Sequence, residues 1–143
     1  MRIINFEPEH FLWVMDVDRN VPEKTADLKA LGQKALTQGP CLTLLGCNDE
    51  AIACAGMRML FDHSAEVWLR LSKKAGPHSV RIIKVQMYRW IEQYNLVRLQ
   101  ASGPTTWTDL PRWWEWLGMQ KEGILRKYGP HGEDYFIYSW VRD

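Results

Sequence analysis

The chain has 143 residues, of which 46% are hydrophobic and 24% charged, and carries a formal net charge of +1 at pH 7. A chain of this length suits one domain that buries roughly two thirds of its unfolded surface without disulfides or metals. Eighteen basic side chains are spread along the chain against 17 acidic ones, which argues against a nucleic-acid binder, whose basic excess gathers in a stripe.

Arg2–Phe6 reads as a short strand carrying Ile3, Ile4 and Phe6. Glu7-Pro8-Glu9 opens a helix, because proline fits a first turn and carboxylates favour the positive end of the dipole. Phe11, Leu12, Val14 and Met15 supply its apolar face, and Asp16–Val21 reads as a loop. Pro22-Glu23 starts a second helix with Ala26, Leu28, Leu31, Ala35 and Leu36 at helical period, and Gly39-Pro40 ends it. Cys41–Cys47 and Ala51–Leu60 read as strands joined by the turn Asn48-Asp49-Glu50. Phe61–Ala65 is a further turn and Glu66–Leu71 a further strand; connections this short make the three antiparallel neighbours.

Beyond Ser72–Ser79 lies the clearest helix. Val80, Ile83, Met87, Trp90, Ile91 and Tyr94 recur on one face, with Arg81, Lys84, Arg89, Glu92 and Gln93 mostly on the other. Asn95 closes it, and Leu96–Ala101 forms a strand parallel to the one before the helix. Thr108 caps a short helix over Asp109–Leu117, which Gly118 stops. Met119–Tyr128 and Tyr135–Val141 are the last strands, joined by the turn cluster Gly129–Asp134. No repeat or linker interrupts the order, so a single domain over 1–143 is expected.

Cys41, Cys47 and Cys54 are odd in number and lack a CxxC spacing, so they read as small buried thiols in a reducing compartment. No apolar run approaches the roughly 18 residues of a membrane helix, and the start lacks a signal-peptide pattern. A cytoplasmic protein is therefore expected. His10, His78 and His131 form no metal-ligand spacing, and neither a P-loop nor a Ser-His-Asp elbow is present.

The order β-α-α-β-β-β-α-β-α-β-β, together with the run Arg112–Tyr128 (RWWEWLGMQKEGILRKY), resembles the GNAT superfamily of N-acetyltransferases over essentially the whole chain. Gly132-Glu133-Asp134-Tyr135 and Ile137-Tyr138 are similar to that family's closing hairpin. The segment from Val67-Trp68 through Leu71–His78 is similar to GNAT-like proteins of tailed phages and prophages, some of them internal virion proteins. The resemblance implies an α/β (α+β) fold, with helices on both faces of a mixed sheet of about seven strands. It also implies acetyl-CoA as cofactor and direct acyl transfer to an amine.

A glycine turn at a helix N-terminus presents free N–H groups and partial positive charge to a pyrophosphate. Here Gly76 permits close approach, Pro77 sets the first turn, and Lys73, Lys74, Arg81 and Lys84 surround that end with positive charge. In the family's pattern Lys73, Gly76 and His78 take the key positions and Ser79 follows. His78 stands where glycine or alanine is usual, and the turn is shorter than in typical relatives. The resemblance further implies that the pantetheine arm lies between the strands Glu66–Leu71 and Leu96–Ala101, pairing with the backbone of Leu69 and Leu71.

Amine acetylation needs a base and an acid. Glu66 is the first candidate base and His63 the second. The family's tyrosine acid falls at Trp114, whose indole has no proton to give at neutral pH, so Tyr128 or Tyr94 would have to replace it. Trp13, Trp107, Trp113, Trp114 and Trp116 are the candidates to line a groove for a small-molecule or peptide amine. An alternative remains at this point: a phage or prophage structural or accessory protein that keeps the fold without catalysis. Its tryptophan-rich surface would meet a second copy or another virion protein, in the host cytoplasm or the virion.

Overall fold

The computed structural model describes residues 1–15 and 22–143; the loop expected over Asp16–Val21 lies outside the described residues. The elements are β1 (Arg2–Asn5), α1 (His10–Val14), α2 (Pro22–Gln38), β2 (Cys41–Leu45), β3 (Ala51–Phe61), β4 (Ser64–Leu71), α3 (Pro77–Gln93), β5 (Arg98–Pro104), α4 (Leu110–Trp116), β6 (Gln120–Leu125) and β7 (Tyr135–Val141). The strands form one mixed sheet in the order β1-β2-β3-β4-β5-β7-β6. The α/β class and the element order expected from the sequence are both present. By packing, the chain divides into two compact units, one of Met1–Met59 with Trp68–Met87 and the other of Leu60–Val67 with Tyr88–Asp143.

In the first unit, β1, β2 and β3 pair antiparallel, from Arg2↔Leu45 to Asn5↔Leu42 and from Cys41↔Gly56 to Leu45↔Ala51. Phe6, Phe11, Val14, Ala35 and Cys54 form a core against which Leu28, Cys41, Ala51 and Trp68 pack. Trp68 meets Phe6 and Phe11 edge-on, with ring centroids 5.8 and 5.3 Å apart. A side chain at Gly56 would collide with the Trp68 ring, so glycine there makes room for the indole.

Helix α1 has five residues and starts at His10, later than the Pro8 start expected, because Glu7 and Pro8 carbonyls first close a turn onto His10 and Phe11. Among the described side chains of α2, Leu28, Gly32 and Ala35 face inward, at i, i+4 and i+7. Leu31 and Leu36, expected on the apolar face, are exposed. Gly32 explains the shift: a Cβ there would meet the backbone of Pro8, so the two segments touch at a residue without a side chain. Cys47 is likewise a correction. It is exposed, because β2 stops at Leu45 and Gly46–Glu50 closes a turn, with Asp49 at φ 59°. Cys54 is buried as expected, and Cys41 half-buried.

In the second unit, β4 and β5 pair parallel from Ser64↔Arg98 to Glu66↔Gln100, as a strand–helix–strand crossover requires. β7 pairs antiparallel with β5 over Arg98↔Val141 to Pro104↔Tyr135, and with β6 on its other side. Along β5, Leu99, Ala101 and Gly103 are buried while Arg98, Gln100 and Ser102 are only half-buried, so polar side chains share one face.

Asn95 ends α3 in the left-handed conformation, φ 49°, and the Leu96 N–H returns to the Ile91 carbonyl. Val97 N–H is taken by the His63 carbonyl, so β5 starts at Arg98 rather than the expected Leu96. Thr108 does not cap α4. Asp109 occupies that position without a side-chain cap bond, and Pro111 sets the first turn. Gly118, at φ 93°, stops α4 as expected. β6 ends at Leu125, short of Tyr128, because Lys127 turns left-handed and its N–H is held by the Asp134 carboxylate at 2.9 Å.

Candidate functional site

In the first unit, β4 runs through Leu69 and Leu71, both half-buried, into the turn Ser72–Gly76 and then α3. The turn is fastened from within. Ser72 N–H donates to the Ile52 carbonyl, Ala75 N–H to the Ser72 carbonyl at 3.0 Å, and Lys74 N–H to Ser72 Oγ at 3.2 Å. Gly76 N–H reaches Ser79 Oγ at 3.5 Å, and the Gly76 carbonyl accepts the Val80 N–H. Ser79 is fully buried and its hydroxyl donates to Met1 Sδ at 3.7 Å. Its side chain therefore serves the start of the helix, reaching back as a third-position capping residue does.

Lys73, Lys74, His78 and Arg81 are exposed. A Cβ at Gly76 would meet nothing within 4 Å, and its φ lies outside the left-handed region. Neither crowding nor backbone conformation demands glycine there, so the open space is available to a ligand. An open cavity of about 700 Å³ adjoins this turn, lined by Trp13, Val14, Asp49, Glu50, Ala51, Ser72, Lys73 and Lys74. Its two acids are engaged: Asp49 takes a hydrogen bond from Arg2 at 3.0 Å, and Glu50 accepts the Asn48 N–H at 2.9 Å. Trp13 is 45% exposed, and its ring lies 4.7 Å from that of buried His10.

His10 was not singled out by the sequence. Its Nδ1 accepts the Glu7 N–H at 3.1 Å and lies 2.6 Å from Thr43 Oγ1, itself 3.6 Å from Cys54 Sγ. Burial lowers the His10 pKa, while Glu7 and Glu9 pull it up. Burial also pushes the Cys54 thiol up to about 12, so it is no nucleophile.

In the second unit, Glu66 is half-buried on β4, and its Oε2 accepts a hydrogen bond from Gln100 Nε2 at 3.2 Å. His63 is exposed, with Nδ1 3.0 Å from the Asn95 carbonyl. Tyr128 stands outside the strands, 53% exposed, its ring edge-on to Tyr135 at 5.3 Å. Trp113 is half-buried with the Arg112 guanidinium 5.7 Å above its ring, whereas Trp107 and Trp116 are exposed. Trp114 is only 4% exposed, and its indole N–H is buried without a hydrogen-bond partner. Among the described residues no group of His, Cys, Asp or Glu could hold a metal ion, and no helix is long and apolar enough to cross a membrane.

The chain of side chains behind Glu66 escaped the sequence reading. Its signal was the alternation Arg98, Gln100, Ser102 against Leu99, Ala101, Gly103, which becomes informative only once the β4–β5 register is known.

Solved structures match this fold over nearly the whole chain. A GNAT-family acetyltransferase from Bacillus anthracis superposes with a TM-score of 0.74 at 19% identity, covering 97% of this chain and 93% of its own. A variant of the Vibrio cholerae spermidine N-acetyltransferase gives 0.76 at 12% identity, covering 99% and 95%. The Brucella melitensis ribosomal-protein-alanine N-acetyltransferase gives 0.75 at 14%, covering 99% and 100%. The chain has the GNAT fold. No protein-family model and no curated protein sequence matches it. At these identities the likeness carries the fold and not the chemistry, which resides in the side chains.

Proposed function

We propose that this GNAT-fold chain is an acetyl-CoA-dependent N-acetyltransferase acting on a small-molecule or peptide amine. The observation that carries the reading is the Ser72–Arg81 turn, with open space at Gly76 and exposed Lys73, Lys74 and Arg81 around it. Those residues fit a pyrophosphate: the lysines and arginine supply charge, and the first N–H groups of α3, which no helical turn can satisfy, supply donors. The Lys74, Ala75 and Gly76 N–H groups have partners inside the turn, which supports a role for the side chains and the start of α3 rather than for the loop backbone. Backbone groups of Leu69 and Leu71 would hold the pantetheine arm.

Acetyl-CoA, when bound, supplies an activated acyl thioester. Glu66 takes the proton from the acceptor ammonium, either directly or through water. The Trp114 N–H, at the position of the family's tyrosine acid, is buried in the interior without a partner, and an indole gives up no proton at neutral pH, so it is not the acid of this reading. Tyr128 is the remaining candidate for protonating the thiolate. The spermidine and ribosomal-protein enzymes among the fold neighbours act on amines by name, which supports an amine acceptor here.

A second reading, a phage or prophage accessory protein without catalysis, draws on the exposed Phe61, Trp107 and Trp116 of one unit and Trp13 of the other, large apolar side chains of the kind that meet a protein partner. Titration calorimetry with acetyl-CoA and with CoA separates the two. Micromolar binding, followed by CoA release in the presence of amines, supports the enzyme. No heat at millimolar ligand defeats it and leaves the scaffold.

A further inference from the structure

Four side chains of the second unit form a continuous polar chain. Arg98 grips Glu122 with both terminal nitrogens, Nη1 donating to Oε2 at 3.0 Å and Nη2 to Oε1. Arg98 Nε donates to Gln100 Oε1 at 3.1 Å, and Gln100 Nε2 donates to Glu66 Oε2 at 3.2 Å. The grip is mutual: hydrogen bonding to Glu122 raises the Arg98 pKa, and hydrogen bonding to Arg98 lowers that of Glu122.

The chemistry of each member dictates the order. A guanidinium only donates and an ionised carboxylate only accepts, so a residue joining them must accept at one end and donate at the other. A side-chain amide does both, and its two neighbours fix which end is oxygen. The register does the rest. Glu66 and Gln100 sit directly opposite across the parallel pair, and Arg98, two residues earlier on β5, shares their face.

We propose that Gln100 is a positioning residue: anchored by Arg98 and Glu122, its amide holds the Glu66 carboxylate in one orientation for proton abstraction. The proposal rests on the reading of Glu66 as the base. A glutamate side chain has several rotamers, and restricting them before the acceptor arrives places the basic oxygen in advance.

The test is a kinetic cycle of wild type, Gln100→Leu, Glu66→Gln and the double variant, with acetyl-CoA and a primary amine. Gln100→Leu is expected to lower kcat roughly 10-fold to 100-fold, the scale of a displacement of about 1 Å at a reacting group. The KM for acetyl-CoA should stay within about two-fold. In the Glu66→Gln background the same change should have no further effect on kcat, because groups acting as a unit are not additive. An equal loss in both backgrounds overturns the proposal, since Gln100 would then act without Glu66.

A wild type that binds acetyl-CoA but transfers nothing refutes the enzyme reading, and a second readout then decides the positioning contact alone. The Gln100 side-chain amide resonances should move in Glu66→Gln and in Arg98→Met, and stay in place in Ser102→Ala on the same strand. Resonances unmoved by the first two variants overturn the contact itself.

Discussion

Replacing Gly76 by aspartate separates ligand binding from folding, because the two are expected to respond with opposite signs. The residue precedes Pro77, its carbonyl accepts the first helical N–H, and a Cβ there has no neighbour within 4 Å. An aspartate in this place is a favoured helix cap and sits at the positive end of α3, together contributing about 0.5–1 kcal/mol to the free protein. For a chain of this size that raises Tm by roughly 2–4 °C. A pyrophosphate on the same turn would meet a new like charge. Two unit charges about 4 Å apart repel by about 4 kcal/mol at an effective dielectric of ~20 and by about 1 kcal/mol in bulk water.

With two phosphate charges and an exposed turn, ~2 kcal/mol is a conservative sum, or about a 30-fold loss of affinity. The loss should shrink as salt is added. Gly76→Ala, which adds bulk without charge, should lose less. Calorimetric titration with acetyl-CoA, beside a thermal melt of the free protein, reads both signs. A folded aspartate variant whose Kd stays within about two-fold of wild type, well below the change worked above, refutes the placement of the cofactor at this turn.

Three further outcomes can be checked. His10 has a pKa lowered from 6.5 by burial, so the unfolded chain binds its proton first. Its contribution is therefore complete above about pH 6.5 and is lost as pH falls below that value; denaturant unfolding from pH 7.5 to 5.5 should show the loss in wild type, and an equal loss in His10→Asn would refute it. Cys47 is exposed while Cys54 is buried with a thiol pushed up to about 12, so a thiol reagent should label Cys47 in the native protein and reach Cys54 only on unfolding. Trp114→Phe removes a buried donor without a partner, a gain of about 1–3 kcal/mol that offsets the lost ring contacts. Stability should stay within about 1 kcal/mol of wild type in denaturant unfolding, and a loss of about 3 kcal/mol or more would show that the indole N–H has a partner in solution.

The sequence was most informative where local chemistry alone decides the structure. Val80, Ile83, Met87, Trp90 and Ile91 are all buried on α3, as their helical spacing requires, and Gly118 stops α4 by adopting a conformation that side chains avoid. It misled where a contact distant in the chain decides. Leu31 and Leu36 fit a helical period but lie exposed, because Gly32 meets Pro8 and turns the face. Tyr128 fits the end of a strand, yet Asp134 captures the Lys127 N–H and closes the loop sooner. At the candidate site, the exposed lysines and the turn ending at Gly76 were legible from composition and order, and their role toward a phosphate is the proposal that the Gly76→Asp titration tests. The capping role of Ser79 and the support behind Glu66 depend on register and burial, which a single sequence does not display.

β4 carries residues proposed for two different roles. β4 gives Glu66 to one compact unit, with its three pairs to β5, and gives Leu69 and Leu71 to the other, where it feeds the Lys73–Arg81 turn. A chain retained only as a scaffold gains little from either feature. A half-buried carboxylate held by an amide, itself held by an ion pair, must give up water and rotamer freedom at every link. An indole N–H buried without a partner is a standing cost that a phenylalanine would remove. Costs of this kind collect where a protein does chemistry, because there stability is exchanged for groups set in position before the substrate arrives. Both costs fall in the unit that holds Glu66, and the kinetic cycle on Gln100 and Glu66 decides whether they serve catalysis.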